Sequence, residues 1–200
     1  MTARLCLMTP PELVSGGVVL ADFQKEFGLA LSAGDVASVL LRIGDGEAAA
    51  VLEAIEALRP LAQDAGAAFL LEQDAELAFR LHCDGVQVSA DPKLIKQIRS
   101  RHGDEVIIGA DCGTSRHAAM LAGEAGCDYV SLSTEAPDAI AWWAELMEVP
   151  CIAAGGITLE NAPEFTALGA EFLAVEEAVW RHPQGPARAI EAFNALLGTN

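Results

Sequence analysis

The chain predicts an α/β fold, a single-domain (β/α)8 TIM barrel with parallel strands over residues 1–200. Three observations carry this prediction. Eight short apolar runs alternate with helical patterns along the whole length. The runs lack polar alternation, as strands covered on both faces should. No low-complexity segment or composition break divides the chain. An open doubly wound sheet is the rival, but the GxGxxG that would favour it after the first strand is absent.

The elements follow in order. Residues 3–9, ARLCLMT, form a first strand, and residues 20–34 a helix closing on Gly34. Residues 36–43 give the second strand, and the Ala- and Leu-rich residues 47–66, with apolar spacings of three and four, the second helix. A strand over 67–72 leads to a short helix over 74–82, and a fourth strand covers 84–89. Asp91 followed by Pro92 marks a helix start, an N-cap acid with proline in the first turn. Strands over 105–110, 128–133, 150–154 and 171–175 complete the set, each followed by a helix, the last over 187–198. An echo runs through CDGVQV, GCDYVSL and GAEFLAV, where a small residue and an acid precede a strand.

Composition narrows the partners. A net charge of −17 leaves no basic surface to release counterions from nucleic acid, and none for anionic membranes. No apolar run approaches the length of a membrane span, and the first residues are too interrupted for a signal peptide. The five cysteines (Cys6, Cys83, Cys112, Cys127, Cys151) are odd in number and form no CxxC, which favours small core residues in a reducing cytoplasm. Trp142-Trp143 reads either as packing on the barrel exterior or as a contact patch of a homo-oligomer.

In such a barrel the site lies at the carboxyl ends of the strands, with phosphate held after the seventh and eighth. Gly155-Gly156 stands after the seventh. Glycines let a backbone turn its N–H groups onto an anion, and a helix opening near Thr158 would add its dipole. A tight turn would use the same pair. Arg42 ends an otherwise apolar strand and could clamp an anion. Asp91 reads as a helix cap or a Mg2+ ligand, and Asp111 as a cap or a ligand. Cys112 is the thiol nearest the presumed site, with no histidine beside it in sequence.

Several segments together resemble the thiamine phosphate synthase and thiazole tautomerase family. They are PCIAAGGITLENAPEFTALGAEFLAV, LLEQDAELAFRLHCDGVQVSADP, VIIGADCG, AGCDYVSLS and VLLRIGDG, in that family's order and over most of the chain. The resemblance implies coupling of an aminopyrimidine diphosphate to a thiazole phosphate with Mg2+, releasing pyrophosphate. It implies a phosphorylated small-molecule ligand, its phosphate on backbone N–H groups at Gly156 and at Glu176-Glu177.

The chain also departs from the family pattern. Glu72-Gln73 replaces an Asn-Asp pair, so a metal-binding Asp is missing. The next metal Asp falls at Pro92, beside Asp91. A pyrophosphate-binding Ser and a nearby His, the general base of a tautomerase, fall at Asp111 and Gly113. A Lys falls at Gly44 and a Gln at Leu40. The loop STEAPDAIAWW has no Lys or Arg, and a Val-Ser pair becomes Glu176-Glu177. The expectation is a divergent member, with Arg42 and Asp111 in catalytic positions, whose synthase activity is weak or lost. The alternatives are a non-catalytic ligand-binding paralogue and a barrel enzyme with a less anionic substrate.

Overall fold

A computed structural model describes residues 2–199. Eight parallel strands close into a barrel in sequence order. They are β1 (Arg4–Met8), β2 (Ser38–Leu41), β3 (Ala68–Glu72), β4 (Gly85–Ser89), β5 (Ile107–Gly113), β6 (Tyr129–Ser133), β7 (Cys151–Ala154) and β8 (Phe172–Val175). Closure is made where β1 pairs with β8, Leu7 opposite Val175. The helices are α1 (Leu20–Leu31), α2 (Ala48–Asp64), α3 (Ala75–Arg80), α4 (Pro92–His102), α5 (Arg116–Ala125), α6 (Pro137–Leu146), α7 (Ala162–Ala167), α8 (Glu177–Trp180) and α9 (Pro186–Leu197), with a 3-10 turn at Pro11–Leu13.

Two apolar layers result. The larger lies between the strands and the helices and includes Phe27, Ile55, Phe69, Trp143 and Phe193. The smaller fills the barrel interior with Cys6, Leu40, Leu70, Tyr129, Ile152 and Ala174. Successive strand residues face opposite sides, so each strand feeds both layers, which is why the runs read as continuously apolar. Tyr129 needs room to lie inside. Gly109 on β5 provides it, since a Cβ there would fall 2.0 Å from the ring.

The repeated acids have a common task. Asp84, Asp128 and Glu171 each stand just before an even-numbered strand. Asp84 Oδ2 accepts the Phe69 N–H at 2.7 Å, Asp128 Oδ2 the Ile108 N–H at 2.7 Å, and Glu171 Oε2 the Cys151 N–H at 3.0 Å. Each acid therefore satisfies an N–H near the start of the preceding odd strand. An unpaired buried N–H would cost about 1–3 kcal/mol.

Two local expectations change. The fifth strand does not stop at Ala110; it continues to Gly113, with a register slip between Asp111 and Gly113. Gly113 has φ of 52°, which lets the chain bulge there. Thr158 does not open a helix, because α7 begins at Ala162. Instead Thr158 N–H donates to Asn161 Oδ1 at 2.7 Å and Asn161 N–H to Thr158 Oγ1 at 3.3 Å, a reciprocal turn ahead of the helix. The helix dipole expected at Gly155-Gly156 is therefore not there.

Trp143 is buried and its Nε1 donates to Val149 O at 2.7 Å, so it packs in the core. Trp142 lies under Arg116, whose guanidinium carbon is 5.3 Å from the ring centroid.

Candidate functional site

A cavity of about 560 Å3 opens at the carboxyl ends of the strands. Arg42, Asp111, Gly155, Gly156, Glu176 and Glu177 all line it. Alternation explains the placement of the charged ones. Leu40, Leu70 and Ala174 face the barrel interior, and Arg42, Glu72 and Glu176 stand two residues further along, so they point the same way at the rim. Asp111 follows Gly109 by the same step. It belongs to β5, not to the loop beyond it, and its Oδ1 accepts the Gly113 N–H at 3.2 Å. The N-cap of α5 is Ser115, so Asp111 is no helix cap.

Arg42 is held on both sides. Its backbone N–H donates to the Oγ1 of buried Thr9 at 3.0 Å, fixing where the side chain leaves the barrel. Its Nη1 donates to Glu176 Oε2 at 3.0 Å, and its Nε lies 3.9 Å from Glu72 Oε1. That Nε is buried and has no hydrogen-bond partner among the described residues. Glu72 is occupied elsewhere, its Oε2 accepting the N–H groups of Ile43 at 2.9 Å and Gly44 at 3.3 Å. Burial pushes the Glu176 carboxyl above the usual range; Arg42 opposes the rise, and Glu12 and Glu177 add to it.

In the same cavity, Gly155 and Gly156 take φ of 104° and 63°. These are conformations that glycine adopts without a Cβ penalty, so the pair is needed for the turn. Thr134 Oγ1 donates to Gly155 O, and Asn161 Nδ2 donates to Gly156 O at 2.9 Å, so the carbonyls are tied back. The N–H groups of Gly155, Gly156, Glu176 and Glu177 find no protein acceptor among the described residues. On the far side, Trp180 Nε1 donates to Met8 O at 2.7 Å and its ring meets Phe23 at 4.6 Å. These contacts pin α8, and with it Glu176-Glu177, to the end of β1.

Other sequence candidates lie apart. Asp91 is not in the cavity lining; its Oδ1 accepts the Lys93 N–H at 2.9 Å and caps α4. Cys112 belongs to the layer under the helices, and burial pushes its thiol up to about 12. It does not line the cavity, so it is no nucleophile there. None of the four histidines lines it. The sequence reading missed Met8 and Ser131 as lining residues, and placed Thr158 at the site only as a helix start. Ser131 could have been found by counting two residues on from the inward Tyr129.

Sequence and structure comparisons place the chain. A family model described as Thiamine monophosphate synthase matches residues 5–179. A thiamine-phosphate synthase of Rhodospirillum centenum is 43% identical over 206 aligned residues, covering 97% of each chain. One of Hyphomonas neptunium is 41% identical over 97% of this chain and 93% of its own. Among solved structures, a thiamine phosphate pyrophosphorylase from Pyrococcus furiosus superposes with a TM-score of 0.83 at 23% identity, covering 98% of this chain and 96% of its own, which speaks to the fold. The chain belongs to the thiamine monophosphate synthase family.

Proposed function

We propose that the protein couples an aminopyrimidine diphosphate to a thiazole phosphate, and does so slowly. The carrying observation is the pairing, in one cavity, of unsatisfied backbone N–H groups at Gly155-Gly156 and Glu176-Glu177 with a single basic lining side chain, Arg42. The N–H groups suit the phosphate of the thiazole, because backbone donors bind an anion without a lysine. Arg42 suits the diphosphate. The C–O bond to the diphosphate breaks and pyrophosphate leaves with the bonding pair. The thiazole nitrogen then forms the new C–N bond to the pyrimidine carbocation. Asp111 and Glu72 favour that cation but oppose the approaching diphosphate. One like-charge pair at about 4 Å costs on the order of 4 kcal/mol at an effective dielectric of ~20. This balance is the reason for slow turnover.

Magnesium is the ion that the family likeness implies. The described residues fit it poorly. They hold no group of three or more His, Cys, Asp or Glu side chains placed to bind a metal. Asp91 is used as a helix cap, and Glu72 bonds backbone N–H groups. A reducing cytoplasm suits the five unpaired thiols. Among the described residues no helix is long and apolar enough to cross a membrane.

The test is direct. The purified chain is incubated with both substrates and Mg2+, and thiamine phosphate and pyrophosphate are quantified. The expected turnover lies below about 1 s⁻¹, the low end of the usual enzyme range. A rate well inside that range would remove the claim of slow turnover. No product at all would favour the second reading, a less anionic substrate, which the acids Asp111, Glu176 and Glu177 around the cavity suit.

A further inference from the structure

We propose that the Glu176 carboxylate is a specificity-determining resident anion: it occupies Arg42 in the empty site, and a ligand anion must displace it. The proposal rests on the reading that this cavity takes an anion.

The geometry is as follows. Among the described residues Arg42 is the cavity's lone basic lining residue, and its Nη1 already donates to Glu176 Oε2 at 3.0 Å. Glu176 belongs to the cup itself, since it and Glu177 line the same cavity and their N–H groups have no acceptor among the described residues. An anion seated on these N–H groups would lie beside the Glu176 side chain and compete with it for one guanidinium. A singly charged ligand exchanges one anion for another and gains little. A multiply charged one gains more, because it can bond Arg42 and the backbone N–H groups together. Arg42 Nε, buried and without a partner among the described residues, is a further donor for such a ligand. While ionised, the resident carboxylate thus favours ligands of high charge density and weakens binding of all anions.

The groups facing Glu176 are Arg42 after β2, Glu12 in the 3-10 turn, and Glu177 on α8, with Glu72 at the end of β3 on the other side of Arg42 and Asp111 across the cavity. Burial is the largest cause of the raised Glu176 carboxyl pKa; Arg42 opposes the rise, and Glu12 and Glu177 add to it. As pH falls through that raised value, Glu176 gains a proton and releases Arg42. Anion affinity therefore rises on acidification and levels off once Glu176 is neutral.

The probe is inorganic sulfate, a dianion whose own charge is constant over the working range. Its binding is measured by calorimetry from neutral pH down into the acid range in which the chain stays folded, because the Glu176 carboxyl titrates above its usual range. The proteins are the full chain, Glu176→Gln, and Glu176→Gln combined with Arg42→Ala. At the upper end Glu176→Gln is expected to bind sulfate about tenfold more tightly than the unaltered chain. The unaltered chain closes that gap as pH falls, whereas the Glu176→Gln profile stays flat. Removing Arg42 abolishes the gain. A Glu176→Gln protein that binds no better at any pH, a gain that survives loss of Arg42, or no sulfate binding by any of the three would overturn the proposal. If Glu176→Gln does not fold, the pH profile of the unaltered chain decides alone, a flat one counting against. Thiamine phosphate formation is assayed separately. Sulfate exchange without product leaves this proposal standing and removes the coupling reaction; product without exchange does the reverse.

Discussion

Arg42, just after β2, reaches past β1 to bond Glu176, 134 residues later, at 3.0 Å. The contact spans the seam where the barrel closes, and it neutralises from within the one basic side chain that lines the cavity among the described residues. Arg42→Ala should weaken pyrophosphate binding by about ten- to a hundredfold, the usual loss for hydrogen bonds to a charged group. Arg42→Lys should recover only part, because an ammonium cannot span two acceptors as a guanidinium does. Calorimetric titration with pyrophosphate checks both; unchanged affinity in Arg42→Ala would remove Arg42 from the site.

Gly156 separates the turn from the cup. Nothing lies within 4 Å of a Cβ built there, so alanine meets no clash but keeps a φ of 63°. Gly156→Ala should cost about 1–2 kcal/mol of stability, the penalty of a left-handed residue. If the N–H groups hold phosphate, affinity for thiazole phosphate falls as well. Urea unfolding and ligand titration of the same variant read the two effects, and a stability loss with full affinity would leave only the turn.

Asp84 should matter for folding and not for chemistry. Asp84→Ala strands the Phe69 N–H and the Gln63 side-chain amide, which now donate to it at 2.7 and 3.0 Å. The expected loss is about 1–3 kcal/mol. At this chain length that is roughly 2–4 °C in Tm for each kcal/mol. Thermal unfolding measures it; a variant as stable as the parent would show that water replaces the carboxylate.

The Arg4 guanidinium donates twice to Asp35, at 2.6 Å each, and holds its carboxyl below the usual range. A lowered folded-state pKa contributes stability that is present above the unfolded value of about 3.9. It is lost as pH falls through the folded value. The stability gap between the unaltered chain and Asp35→Asn should therefore be constant near neutrality and vanish in acid. Chemical denaturation across pH tests this, and a gap that widens in acid would contradict the sign.

All five thiols are buried, and burial pushes Cys83, Cys112 and Cys151 up to about 12 and Cys6 and Cys127 to about 11. Native protein should react with a thiol reagent only as fast as it opens, and denatured protein at once. Rapid labelling of Cys112 in the native state would reopen it as a reactive group.

Much of this protein is written locally. The eight apolar runs, the Asp91-Pro92 helix start and the acids before the even strands are short-range signals, and each marks a real element. The fifth strand was harder to end, because Asp111 and Gly113 look like loop residues and only pairing with β6 keeps them in the sheet. Thr158 has the residue type of a cap, but the helix starts only after Asn161, three residues on, whose side chain bonds back to Thr158 and Gly156.

The sequence alone determined the barrel, and it determined that Gly155-Gly156 stands just past the seventh strand, since propensity and side-chain alternation act over a few residues; that a loop and not a helix follows came from the structure. Only the tertiary structure decided that Arg42 lies between Glu72 and Glu176. Those residues stand at or just past the ends of three strands, and the distances between them are set by closure of the sheet, where β1 meets both β2 and β8. Whether a charge at a strand end is free for a ligand depends on what closure places beside it.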